Sequence, residues 1–556
     1  MQKAMKIHRN VSALPRRKRA YFLIPCLIAA ACAALFLFLF SKCSPLYPFN
    51  EWCDVNWFMD MGRGWAEGKI PYRDLFEQKG PLVYLMFLAV YLLFGANKTG
   101  VLFLEMLSLF LFLLLSYRIL RLSLSRRLSL LALPVIALFV TTSNAFYQGG
   151  GAVEEYCLPL LAFGLFCLLS YLGDRAAAIM PFSRLFLCGV AAGCILLIKY
   201  TMLAFYFALM ASLFFTLLFR REARRAWLSC VVFLLGMAAI IVPFVWYFAG
   251  QGALAAFFRC YIYDNIFRYV AAQPLAERML SLLVSYSNML QCLPLYLGVL
   301  FSVLLVATSP TVTRQGKLIF AFVVSFTVLV QVLGFGRYPY YHLMVAMFLP
   351  SGVAGACLTL PRVWHSLRRR QARRTGGAAT SLPKPVRPPL SRPAFARCVA
   401  LPVLLCVALC GPLFGNSVRC LADTREDYVQ FRFADRLWEE EAAALSPASP
   451  TLLVYGIQEY GFYNACGISP SSYFYAMNNF TEESYPELFA AQREEITEGK
   501  VDYVICPLER YENEGETVFA NYRLLATETL DTRCHSLLSE HIPICLLRLT
   551  EKGENA

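Results

Sequence analysis

The chain has 556 residues, is 58% hydrophobic and 15% aromatic, and carries a formal net charge of +14. This composition excludes a soluble globular protein, because apolar runs of about 20 residues, enough for a helix to span roughly 30 Å of hydrocarbon, recur along it. From Asn416 onward 24 Asp/Glu face 11 Lys/Arg, while the rest holds 13 acids against 40 bases. Those bases flank hydrophobic runs, the positive-inside pattern of a multi-pass membrane protein, and nucleic acid is not a partner.

Arg16–Arg19 precede a first apolar run, Tyr21–Phe40, with no small-residue cleavage site after it, which reads as a retained span rather than a signal peptide. With residues 1–20 cytoplasmic, loop 41–97 is external. Pro81–Gly95 is apolar but short. Counted as a span, it would put Arg121, Arg126 and Arg127 outside, so it is expected to be re-entrant or surface-lying. The runs Thr99–Leu120, Leu128–Thr142, Tyr156–Leu172, Leu185–Ile198, Thr201–Phe219, Ala226–Phe248, Leu280–Ala307, Leu318–Phe335 and Leu343–Leu360 then alternate across the membrane. Residues 362–397 carry ten Lys/Arg, no acid and several prolines, a flexible cytoplasmic linker suited to anionic lipid surfaces. A last span at 398–415 makes about eleven.

The tail, 416–556, is long enough to fold alone. A helical pattern at Asp427–Leu445 and short apolar runs at Thr451–Tyr455, Tyr503–Cys506 and Ile542–Leu549 predict a small external α/β domain. The 20 cysteines include no C-x-x-C pair, and most sit in apolar runs as small hydrophobes. The tail holds five, whose pairing is not legible.

Ten of the 13 acids before Asn416 fall in external loops: Glu51, Asp54, Asp60, Glu67, Asp74, Glu77, Glu154, Glu155, Asp264 and Glu277. Carboxylates gathered on one face from distant loops predict a shared polar cavity for general-base or metal chemistry. The plainer reading is that acids collect in wet loops. Asp54, between Trp52 and Trp57, is placed where a base meets an acceptor hydroxyl. Glu154 and Glu155 follow three glycines that permit close approach of a ligand. Lys199 interrupts an apolar hairpin and needs an anionic partner such as a lipid phosphate; Lys79, before Gly80-Pro81, is similar. Arg337, Tyr338, Tyr340, Tyr341 and His342 offer donors for phosphate or sugar, though interfacial tyrosines are common and a lone His is more often structural. Tyr72, Tyr263 and Asn265 are weaker lining candidates.

An outward first span, an Asp soon after it, and then G-K-I-P-Y-R-D-L-F-E-Q-K-G-P-L-V-Y resemble the bacterial branch of the C-type membrane glycosyltransferases, similar to protein O-mannosyltransferases and aminoarabinose transferases (a family 39-like, GT-C-like pattern). Glu154-Glu155, I-K-Y-T at Ile198–Thr201 and R-Y-P-Y-Y-H follow in the same order, so the resemblance covers roughly Tyr21–Leu360. It implies Asp54 as the base, and Lys79, Lys199 and Arg337 as donor-phosphate ligands. Glu154 or Glu155 takes the second acidic position. Glu77 matches a residue that is sometimes a metal ligand, which leaves a divalent metal ion as an option. The family's paired Asp-Glu is replaced here by Asp54-Val55, which argues against a protein serine or threonine acceptor.

The combined expectation is a transferase with a GT-C-like module at 21–361 that moves a sugar, with inversion, from a polyprenyl-phosphate donor to a lipid, glycan or protein acceptor on the outer face. The competing classes are a transporter or flippase, and a polymerase, of lipid-linked sugars. No internal repeat or midplane charge beyond Glu105 favours the former.

Overall fold

The computed structural model describes residues 16–143, 146–174, 179–268, 275–334, 338–360, 416–444, 449–477, 479–531 and 541–550. Apolar runs fold as helices because backbone removed from water must satisfy its own N–H and C=O groups. The helices are α1 (Arg16–Phe40), α2 (Cys53–Ala66), α3 (Pro81–Phe94), α4 (Thr99–Arg121), α5 (Arg126–Thr142), α6 (Val153–Gly173), α7 (Phe182–Lys199), α8 (Ala204–Phe219) and α9 (Ala223–Gly250). A short α10 (Leu254–Phe257) runs into a π-helix at Phe258–Arg268. Then come α11 (Leu275–Gln291), α12 (Leu293–Thr308), α13 (Arg314–Gly334) and a segment Pro339–Leu360 that begins as a 3-10 helix.

Among the described residues, seven helices are long and apolar enough to cross a membrane, or eight if α11 and α12 form one bent span. The chain is a multi-pass membrane protein. The expectation of about eleven spans meets this count through specific segments. Helix α5 has 17 residues, just under span length. The run expected at Leu280–Ala307 is broken at Cys292 by a 79° bend. Pro294, at the start of α12, lacks the N–H that would continue α11. The run Phe182–Phe219 is continuous at 38 residues but doubles back at Tyr200–Leu203. The free thiol of Cys188 of α7 hydrogen-bonds that of Cys167, deep along α6, whereas Tyr206 of α8 donates to Leu160 O, so α7 runs toward the start of α6 and α8 runs away from it. The span expected at 398–415 and the linker 362–397 lie outside the described residues.

Helix α3 does not cross the bundle. It begins where Gly80 N donates to Ile198 O at the end of α7. It ends beside Lys98, whose Nζ donates to Lys42 O and Ser44 O in the loop after α1. Both ends therefore lie at one end of the bundle, and its 14 residues reach only about 21 Å.

The tail is a small α/β domain. Strands β1 (Leu452–Val454), β2 (Tyr503–Pro507), β3 (Tyr522–Asp531) and β4 (His541–Leu549) pair in the order β1-β2-β4-β3, with β1 and β2 parallel and the other pairs antiparallel. Strand β3 was not anticipated, since R-L-L-A-T-E-T-L-D is not a continuous apolar run and its side chains are half-buried or exposed over most of its length. The five tail cysteines include Cys506 and Cys545, free thiols opposite each other on β2 and β4 with sulfurs 3.5 Å apart; Cys534 lies outside the described residues.

The domain is docked tightly on α2 and the loop after it. Trp57 packs on Tyr475 with ring centroids 4.8 Å apart, Arg63 donates to Gly467 O at 2.8 Å, and Asn464 donates to Asn56 at 3.0 Å. Phe76 N donates to Tyr473 O, and its ring is enclosed by Tyr473, Phe474, Phe480 and Tyr485.

Asp60 of α2 and Glu459 of the tail are wholly buried in this junction. Burial, then the neighbouring Glu459, raises the Asp60 carboxyl well above the usual range, against the pull of Arg63. Burial pushes Glu459 up to about 8, opposed by the N–H groups of Tyr463, Gly461 and Phe462. Tyr463, Tyr475 and Cys466 also face the pair. A carboxyl whose folded pKa is raised contributes fully below its unfolded pKa of about 4, and the contribution is lost as pH rises through the folded value. Limited proteolysis of the intact protein in nanodiscs is therefore expected to release the tail faster as pH rises to about 8. Asp60→Asn combined with Glu459→Gln should flatten that dependence; wild-type digestion that ignores pH would contradict it.

Candidate active site

The segment Gln78-Lys79-Gly80-Pro81 is stitched to the end of α7. Pro81 starts α3, where its missing N–H costs nothing. Gly80 N reaches Ile198 O at 3.1 Å, and a Cβ on Gly80 would stand 2.1 Å from Leu197 O. Only glycine allows that approach, and it brings Lys79 and Lys199, 120 positions apart, to one place.

Lys79 is held from every side. Its backbone N donates to Glu77 Oε2 at 2.8 Å, and the Tyr72 hydroxyl donates to its carbonyl at 2.7 Å. The Tyr84 hydroxyl bonds Glu77 Oε2, and Asn265 Nδ2 donates to Gln78 O at 2.7 Å. Tyr72 adopts a positive φ of 69°, a strained conformation retained where the surroundings dictate it. The Lys79 ammonium lies 3.9 Å from Asp54 Oδ1, both side chains nearly buried. Burial alone would lower the Lys79 pKa; Asp54 and Glu77, then Tyr341 and Glu154, more than offset it, so the lysine is held firmly charged.

The second lysine completes the group. Lys199 Nζ pairs with Glu154 Oε1 at 2.5 Å and lies 3.4 Å from the Tyr341 ring centroid, a close cation–π contact. The Tyr340 ring is farther, at 5.8 Å, and meets Trp52, two residues before Asp54, at 5.6 Å. Asp54, in the first turn of α2, faces the positive end of that helix. Two buried oxygens, Asp54 Oδ2 and Glu154 Oε2, accept no hydrogen bond among the described residues. A buried carboxylate oxygen left without a donor is costly, and a hydroxyl-bearing ligand would supply one.

The candidates thus separate. Asp54, Lys79, Glu154, Lys199 and Tyr340 converge, with Glu77, Tyr72 and Asn265 holding the backbone around Lys79. Tyr338 stacks on Tyr340 at 5.7 Å. Glu155 points elsewhere, capping its own helix through Ala152 N and facing Glu105. The glycines before it pack against Lys42, Glu105 and Val55 instead of opening toward a ligand. His342 is buried against Tyr296, 2.5 Å from its hydroxyl, and Tyr263 is half exposed on Phe267. Arg337 lies outside the described residues. Glu77 Oε2 is engaged by Lys79 and Tyr84, and the described residues include no group of three His, Cys, Asp or Glu arranged to hold a metal. Tyr84 was not singled out as a site residue. Tyr84 lies in the motif itself, three residues after Pro81, but only the fold turns its hydroxyl back onto Glu77.

Gly80→Ala should force the Lys79 loop away from α7 and cost about 2 kcal/mol or more. The expected readout is a lower melting temperature together with loss of the Lys79–Lys199 juxtaposition, measured as impaired cross-linking of cysteines introduced at 79 and 199. An unchanged cross-linking yield would refute the stitch.

Residues 78–248 match the family of dolichyl-phosphate-mannose-protein mannosyltransferases. No curated protein matches the chain. Among solved structures, ArnT from Cupriavidus metallidurans bound to undecaprenyl phosphate is similar at 15% identity with a TM-score of 0.55, over 95% of this chain and 98% of that one. Apo ArnT from the same organism is similar at 13% identity with a TM-score of 0.53, again over 95% and 98%. The chain thus shares the fold of ArnT over nearly its full length, and its residues from Gln78 to Phe248 match the dolichyl-phosphate-mannose-protein mannosyltransferase family.

Proposed function

We propose that the protein transfers a sugar from a polyprenyl-phosphate donor to a hydroxyl of a cell-envelope acceptor at the outer membrane face, with inversion at the anomeric carbon. The observation that carries this reading is the unpaired buried oxygen Asp54 Oδ2, held beside a charged lysine. The polyprenyl phosphate bound by the ArnT of similar fold supports the donor class. The acceptor oxygen attacks the anomeric carbon, the bond from that carbon to the phosphate oxygen breaks, and Asp54 takes the acceptor's proton.

Electrostatics favours the leaving side. A phosphate joined to both sugar and lipid carries one negative charge; once the sugar departs it approaches two. Lys79 and Lys199 therefore interact more strongly with the transition state than with the bound donor, which is the differential that speeds a reaction. Glu154 and Tyr341 hold the Lys199 side chain in place until a phosphate competes for it. The basic residues at the opposite end of the bundle, Arg121, Arg126, Arg127, Arg184 and Arg220, support an outward-facing site by the positive-inside rule.

Purified protein in nanodiscs, given radiolabelled undecaprenyl-phosphate hexoses and pentoses, is expected to release or transfer sugar. Asp54→Asn should lower the rate by about 10²- to 10⁴-fold with donor affinity little changed. Lys79→Met and Lys199→Met should weaken donor binding as well. Equal translocation of the lipid by wild type and Asp54→Asn, without release of sugar, would point to a transporter instead.

A further inference from the structure

A cavity lies against α2, lined by residues other than those of the lysine–carboxylate group. It has a volume of about 440 Å³, within the roughly 300–1,000 Å³ typical of small-ligand sites. Its walls come from four places in the chain: the loop after α1, α2, the α3–α4 turn, and the docked tail domain. Val55, Asn56 and Met59 of α2 line it, whereas Asp54 and Lys79 do not. The cavity is therefore separate from the lysine–carboxylate group, although it shares a helix with it.

Its chemistry is selective. No carboxylate lines it, and Lys98 is its only charged lining residue. All three N–H groups of Lys98 are spent on the carbonyls of Lys42, Ser44 and Tyr47, leaving none for an anion. One wall is a pair of phenyl rings, Phe49 and Phe431, meeting edge to face at 5.0 Å. Opposite polarity comes from amides. Asn56 is fully engaged, but Nδ2 of the exposed Asn97 and Oδ1 of the half-buried Asn464 carry no hydrogen bond among the described residues and face the solvent-filled cavity, although the other end of each amide is anchored. One free donor and one free acceptor beside apolar rings suit a molecule with hydroxyl groups on its edge and C–H bonds on its face. The mouth borders the exposed end of α3, where Leu92, Leu93 and Phe94 are 68%, 77% and 40% exposed, so an acyl chain can lie against the lip while a head group enters.

The geometry points to a binding site for an uncharged glycosyl group, either a free sugar or the head group of a neutral glycolipid, wedged between the membrane module and the tail domain. Occupancy does not require that the Asp54 group catalyse transfer, so the two readings can fail separately.

The test uses the full chain in nanodiscs. Saturation-transfer NMR with maltose and with N-acetylglucosamine probes the free-sugar source, and nanodiscs doped with monoglucosyl diacylglycerol probe the lipid source, read by protection of Asn97–Thr99 and Asn464 from hydrogen exchange. Saturable binding is expected, retained in Asp54→Asn. It should weaken at least tenfold in Ala96→Trp, which fills the exposed mouth, and in Asn97→Ala combined with Asn464→Ala. Tighter binding of the glycolipid assigns the membrane source, and equal binding assigns a soluble glycan. Absence of saturable binding by every neutral probe, preference for galacturonate over them, or full binding in both variants would overturn the proposal.

Discussion

The interlocked pairs Lys79–Asp54 and Lys199–Glu154 are the constraint on which the rest of this structure depends. A buried ammonium or carboxylate is tolerable only when compensated, and removing one partner of such a pair strands the other at a cost of about 3–5 kcal/mol. Here two ammonium groups stand among Asp54, Glu77 and Glu154, three acids drawn from two helix starts and a loop. Each element that brings one of them in is thereby tied to the others. The hairpin of α7 and α8 is turned so that Lys199 reaches Glu154, and α3 folds back so that Lys79 arrives beside it.

The tail domain takes part in this arrangement. Its residues enclose Phe76, one position before Glu77, and its backbone bonds the same segment through Tyr473. Arg268 of the π-helix pairs with Glu487 of the tail while also holding buried Asp264. The π-helix in turn carries Asn265, which holds Gln78. Movement of the tail would therefore reach Lys79 by two routes, through the Phe76 cage and through the π-helix. π-Helical segments recur at functional sites because the extra residue re-aims side chains.

Much of the site could be read from one stretch of sequence because its chemistry is local. Trp52–Tyr84 contains Asp54, Glu77, Lys79 and the tyrosines that brace them. The unusual density of charge beside aromatics, after a run that spans the membrane, marked it. Lys199 was legible for a different reason, since a lone ammonium in an apolar hairpin must have a partner. Glu154 and Glu155 could not be told apart, because adjacent residues on a helix point about 100° apart and only the packing of α4 against α6 decides which one meets the lysine. Likewise His342 and Tyr341 are neighbours in one motif, yet one is sealed against α12 and the other lies under Lys199.

Amino-acid order alone determined the membrane class, the basic and acidic partition, the α/β character of the tail and the identity of the charged loop, since these follow from hydropathy, periodicity and charge counted along the chain. Tertiary structure alone decided that α3 turns back, that Pro294 breaks a long apolar run, which of two adjacent glutamates joins the lysines, and that the tail closes over the loop. Those outcomes depend on contacts between residues tens to hundreds of positions apart, where burial and electrostatic compensation select among arrangements that local patterns leave equal.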